Sequence, residues 1–171
     1  MANAASSGMP WTRKNDNSFR RRFVVCGSMA FAHKMDEICS RLAEHDVLAV
    51  APDDVDAGAD FSEQKSYQRF KKEVSKRHIK KVRDPRTIGI VVANFEKHGT
   101  RSYIGANTFA EIAIAFADNK AIFLLDGIPR NFSDELSAWG VHDLRGSLDP
   151  LIFRYRDLCR KDLNQLRLPC F

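Results

Sequence analysis

In the segment Ile104 to Lys120, IGANTFAEIAIAFADNK, a single carboxylate heads a long apolar run. Glu111 follows Phe109 and Ala110 and precedes Ile112 to Ala117, so it falls in the first turn of an expected buried helix. Two roles fit that position. Thr108-Phe-Ala-Glu111 matches the capping box S/T-x-x-E, in which the carboxylate reaches back to the Thr108 amide and complements the helix dipole by about 0.3–1 kcal/mol. A carboxylate held at that point can also attack a sugar anomeric carbon, or steady the positive charge that grows there as a glycosidic bond breaks.

Other turns carry weaker signals. Gly27-Ser28-Met29 follows an apolar strand, where glycine allows close backbone approach and a helix start offers free N–H groups to an anion. Ser28 could equally cap that helix. The segment has neither G-x-G-x-x-G nor G-x-x-x-x-G-K-[ST], so no dinucleotide fingerprint or P-loop is present. Asn107 and Thr108 are both good N-cap residues. Asp53 and Asp54 follow the second strand, where a carboxylate can bind ribose hydroxyls or cap a turn.

His33, His78, His98 and His142 are scattered without H-E-x-x-H or another metal spacing, and read as surface or lightly buried side chains. Cys26, Cys39, Cys159 and Cys170 form no C-x-x-C pair and no zinc-finger spacing. They read as reduced thiols of an intracellular protein. No metal and no cofactor is expected.

The elements that must position these residues alternate. Phe23 to Cys26, the run DVLAVAP, the run TIGIVVAN, the run AIFLLD and a weaker VHDLRG read as strands. Between them come helical patterns: Phe31, Met35, Ile38, Leu42 and Ala43; then Tyr67, Phe70, Val74, Ile79 and Val82; then the Glu111 helix; then Ser133 to Trp139. A final amphipathic helix carries Leu151, Phe153, Tyr155, Leu158 and Leu163. Continuous apolar strands alternating with helices imply one doubly wound α/β domain, residues 20–171: a parallel sheet of about five strands with helices on both faces, in the flavodoxin or Rossmann manner. Ligands of such sheets bind beyond the carboxyl ends of the strands.

The chain has 171 residues, net charge +5 and a sequence pI of about 9.1, which favours anionic partners. Residues 1–19 read as a flexible basic leader, with a mitochondrial presequence as the alternative to a cytoplasmic protein. No apolar run approaches the roughly 20 residues that span a bilayer, so no membrane association is expected. The segment 65–86 is densely basic, including Lys65, Arg69, Lys71, Lys72, Lys76, Arg77, Lys80, Lys81, Arg83 and Arg86. It is either a solvated helix face or a phosphate-contacting face for nucleic acid or an assembly partner.

The stretches VVCGSMAFAHKMDEICSRLAEHDVLAVAP and GANTFAEIAIAFADNKAIFLL resemble the opening and the signature of the nucleoside 2-deoxyribosyltransferase-like superfamily, over about residues 22 to 126. Thr108, Glu111 and Ala115 match the signature, while Gly105 and Asn107 stand where it has Asp and Gly. The resemblance implies cleavage of a nucleobase–sugar bond, or transfer of the sugar, with Glu111 as nucleophile. It implies nucleotide contacts from Gly27, Ser28, Met29, Asn94, Gly105, Asn107 and Thr108, and a homo-oligomer whose subunits complete one another's pockets. The changed signature positions leave a second expectation open: a non-catalytic nucleotide-binding or structural subunit that keeps the fold.

Overall fold

Residues 20–53 and 64–165 are described by the structure, a computed structural model. Among them, five strands form one all-parallel sheet: β1 (Arg22–Gly27), β2 (Leu48–Val50), β3 (Thr87–Ala93), β4 (Ala121–Leu124) and β5 (His142–Asp143). Their order is β2-β1-β3-β4-β5. That is the flavodoxin-like arrangement, in which the chain reverses its winding between β1 and β3 and leaves a crevice beyond their carboxyl ends. The helices are α1 (Ala32–Ala43), α2 (Gln64–Arg83), α3 (Ala106–Ala117), α4 (Ser133–Ala138) and α5 (Asp149–Gln165). The expected doubly wound α/β fold is therefore present. The leader 1–19 and the acidic loop from Asp54 lie outside the described residues.

Strand alternation sorts the apolar side chains between two cores. Phe23, Val25, Val91, Ala93, Phe123 and Leu125 point to one face, where Met35, Ile38 and Leu42 of α1 and Leu151 of α5 cover them. Val24, Cys26, Ile90, Val92, Ile122 and Leu124 point to the other, under Val82 of α2, Ile112 and Ala115 of α3, and Leu136 of α4. Both faces being dry explains why β1, β3 and β4 read as unbroken apolar runs. On α5 the core stripe runs through Leu151, Ile152, Tyr155 and Leu158, and Phe153, expected on that stripe, is 83% exposed. Phe153 lies two residues beyond Leu151, about 200° around the helix, which turns it to solvent.

The amino ends of the strands are tied by polar groups. Arg22 and Arg86 both bind the Asp84 carboxylate, and Lys120 Nζ donates to the carbonyls of Asp84 and Thr87. Close approach of β3 to β4 depends on Gly89: a Cβ there would stand 2.7 Å from the Ala121 carbonyl and 2.8 Å from the Phe23 ring.

Candidate functional site

At the carboxyl ends of β1 and β3 the chain builds two turns that touch. After β1, Gly27 passes so close to Ala93 and Met35 that a Cβ would lie 3.1 Å from the Ala93 carbonyl. Ser28 then caps a short 3-10 turn, accepting from the Ala30 amide. After β3, Lys97 and Thr100 pair as a two-residue hairpin whose central residues, His98 and Gly99, both have positive φ, 51° and 74°. That is the type I′ turn, and glycine at its second position removes the steric cost of left-handed backbone. Lys97 crosses the crevice to donate to Ser28 Oγ at 2.9 Å, with its ammonium 5.1 Å from the Tyr103 ring centre. Phe31 and Phe95 meet edge to face at 5.4 Å and pin the two turns from the α1 side.

Glu111 enters from the other side of the sheet. The helix that carries it starts one turn earlier than the capping-box spacing predicts. Gly105 is the N-cap, in extended backbone and without a side-chain cap bond. Asn107 and Thr108 therefore lie inside the first turn, and Thr108 is buried. This corrects the expected box: Glu111 sits in the second turn, beyond reach of the free N-terminal amides. Its carboxylate instead meets a side chain from another helix. His78 Nδ1 lies 2.8 Å from Glu111 Oε1, and His78 Nε2 lies 3.2 Å from the Val25 carbonyl. A carbonyl only accepts, so Nε2 carries a proton and donates it, and one further proton is shared between Nδ1 and Oε1. Glu111 also accepts from the Cys26 thiol, which is fully buried in β1. Burial pushes that thiol well above the ordinary range, and the Glu111 charge and hydrogen bond add to the shift. Cys26 is thus held as a thiol, and its sulfur is not a nucleophile here.

The result is a buried cluster of thiol, imidazole and carboxylate drawn from β1, α2 and α3. Side-chain exposure is 5% for His78 and 12% for Glu111, so the carboxylate is the member nearest solvent. The expectation of surface histidines fails at His78. It also fails to anticipate that a metal-type donor set would assemble, because the three residues belong to three elements.

The remaining candidates divide. Gly27, Ser28 and Gly105 line the turns at the carboxyl end of the sheet, and Met29, at 40% exposure, stands open beside them. Asn107 is exposed on the first turn of α3. Asn94 is fully buried and its amide is committed: Nδ2 donates to the Asp126 and Gly127 carbonyls at 3.3 and 2.8 Å, and Oδ1 accepts from the Asp126 amide at 2.8 Å. It braces the turn after β4 rather than reaching into the crevice. Asp53 pairs with Lys81 Nζ at 2.5 Å, and that bond holds its carboxyl below the usual range. A hollow of about 370 Å³ at this end of the sheet is lined by Lys34, Glu37, Arg41, Phe95 and Asp126, on the α1 side, and Glu111 does not line it.

Two of these residues escaped the sequence reading. Lys97 sits in a loop whose charge carries no periodic signal. His78 did leave one: Val74, His78 and Val82 recur every four residues, which puts the imidazole on the buried stripe of α2. Comparison with family models, curated proteins and solved structures returned no match for this chain.

Proposed function

We propose that the protein cleaves a nucleobase–sugar N-glycosidic bond, with Glu111 as the nucleophile. The observation that carries this reading is the 2.8 Å contact between His78 and Glu111, which meets Val25 and Cys26, the strand residues just before the Gly27-Ser28 turn. A retaining glycosyl transfer needs a carboxylate fixed in orientation and still accessible at its edge. His78 supplies the orientation, and 12% exposure leaves the edge. The likeness of Thr108 to Ala115 to the deoxyribosyltransferase-like signature points the same way.

In this mechanism a carboxylate oxygen of Glu111 bonds to the anomeric carbon as the carbon–nitrogen bond breaks. The electron pair leaves with the base, which takes a proton from solvent. Water then attacks the glycosyl ester, releasing the sugar and returning the carboxylate. Lys97, across the crevice at Ser28, offers a cation for the anionic part of a nucleotide.

The test is incubation with nucleosides and nucleoside 5′-monophosphates, with free base read by chromatography. Glu111→Gln keeps the volume of the side chain and removes its nucleophilicity. It is expected to lower base release at least about 1,000-fold, as loss of a nucleophile does. Release unchanged in that variant, or absent from wild type with every substrate, rejects the reading.

A second reading draws on α2. Lys65, Arg69, Lys72, Lys76 and Lys80 are all exposed and follow one another at intervals of three or four residues, so they form one stripe. Lys81 and Arg86 are not part of it, since Asp53 and Asp84 hold them. Such a stripe fits the phosphates of a nucleic acid in an assembly that uses the fold without catalysis. Binding to single- or double-stranded nucleic acid that weakens steeply with salt, and weakens further in Lys65→Ala/Arg69→Ala/Lys72→Ala, supports it. Salt-independent or absent binding removes it.

A further inference from the structure

We propose that Cys26, His78 and Glu111 form a binding site for a thiophilic divalent cation of the zinc class. Their ligand atoms, one sulfur, one ring nitrogen and one carboxylate oxygen, all lie within 4.8 Å of one another. That mixed donor set suits zinc, which takes Cys, His and carboxylate ligands at about 2.0–2.3 Å in a tetrahedron. Ligand atoms around such an ion stand about 3.3–3.8 Å apart, so side-chain shifts of about 1 Å close the three around it.

The hydrogen bond that would hold the histidine in place is already made. A ligating histidine characteristically donates its outer ring N–H to a carboxylate or a backbone carbonyl, which fixes the tautomer and aims the other nitrogen at the metal. His78 does this through Nε2 to the Val25 carbonyl at 3.2 Å, and Nδ1 is left facing Glu111. The proton shared between Nδ1 and Oε1 occupies a position that a cation can take instead. On binding, that proton and the thiol proton leave to solvent. Thiolate and carboxylate then balance the double charge, so the loaded site is neutral. Neutrality matters because Cys26 lies in one buried apolar cluster with Val24, Val82 and Ile112, and an unbalanced charge in apolar surroundings is costly. Three protein donors leave one tetrahedral position for water.

Metal occupancy takes Glu111 out of glycosyl chemistry. That consequence rests on the glycosidase reading, whereas the site itself does not, and base release from metal-free protein tests the former separately.

The test is titration of the full chain with Co²⁺, followed by displacement with Zn²⁺. One equivalent of Co²⁺ is expected, with the intense absorption of a thiolate–cobalt bond and the visible bands of tetrahedral cobalt. Cys26→Ser should abolish the thiolate band and weaken Zn²⁺ binding at least about 100-fold, the upper end of what losing an outer-shell partner costs. His78→Gln should weaken binding to a similar degree. Cys39→Ser, which alters a partly exposed cysteine outside the cluster, should leave both unchanged. Circular dichroism identifies any variant that fails to fold. The wild-type spectrum decides regardless of the variants: absence of a thiolate–cobalt band overturns the site. So does a band that persists in folded Cys26→Ser.

Discussion

His78 on α2 and Glu111 on α3 are 33 residues apart in the chain, yet their side chains meet at 2.8 Å beside β1. The contact ties two helices that cover the same face of the sheet. Removing one partner is costlier than the bond itself, because the other is left buried with an unmet group. His78→Ala is expected to lower stability by about 2–4 kcal/mol, since it strands both Glu111 and the Val25 carbonyl. Urea unfolding monitored by circular dichroism measures this. A loss under about 0.5 kcal/mol, the range of an ordinary surface substitution, would show that the contact contributes nothing.

The fold was legible because its signal is local. The unbroken apolar runs of β1, β3 and β4 mark strands buried on both faces, and the spacing of Met35, Ile38 and Leu42 by three and then four residues marks α1. The site was legible only in part. Glu111 stood out by its type against an apolar background, but its partner could not be read, since nothing along the chain says which helices lie side by side. The capping box misled for a local reason. Thr108 faces inward and is buried, so α3 takes Gly105 as its N-cap, one turn before the residue with the better capping side chain. Asn94 misled in the opposite way: an amide ending a strand at the ligand end of the sheet looks available, while the turn after β4 takes all of its hydrogen bonds.

That commitment predicts a structural phenotype for Asn94. Asn94→Ala leaves the Gly127 carbonyl and the Asp126 amide without that partner, and leaves the Asp126 carbonyl to the Ser102 hydroxyl alone. A loss of about 2–4 kcal/mol is expected, with hydrogen-exchange protection falling first at Asp126 and Gly127. Asn94→Asp keeps the acceptor for the Asp126 amide but sets a carboxylate against two carbonyls, so it should be no better tolerated. If Asn94→Ala is as stable as wild type and loses only ligand affinity, the bracing role is wrong.

Lys97 should distinguish a phosphorylated from an unphosphorylated substrate. Its ammonium is held at the crevice by Ser28 and the Tyr103 ring, where an incoming anion would gain a charge-assisted hydrogen bond. Such a bond contributes about 1.5–3 kcal/mol. On the glycosidase reading, Lys97→Ala should raise KM for a nucleoside 5′-monophosphate about tenfold or more and leave kcat/KM for the bare nucleoside unchanged. Steady-state kinetics on the matched pair provides the comparison. Equal losses for both substrates would assign Lys97 to holding the hairpin rather than to binding phosphate.

The amino end of the sheet sets an acid limit. Asp84 accepts side-chain hydrogen bonds from Arg86 at 3.0 and 2.6 Å and from Arg22 at 3.0 Å, and its carboxyl is held well below the ordinary carboxylate range, chiefly by Arg86. A carboxyl whose folded pKa is depressed stabilises the fold above its unfolded pKa, near about 3.9, because the unfolded chain then binds more protons than the folded one. That contribution is fully present at neutral pH and is lost as pH falls below about 4 toward the folded value. Asp84→Asn should therefore lower stability at pH 7 and flatten the acid limb of the stability curve, so that mutant and wild type converge at low pH. Thermal unfolding between neutral pH and about pH 2.5 measures the convergence. Parallel curves across that range would mean that the Asp84 charge is not coupled to folding, and that the arginines act on it only in passing.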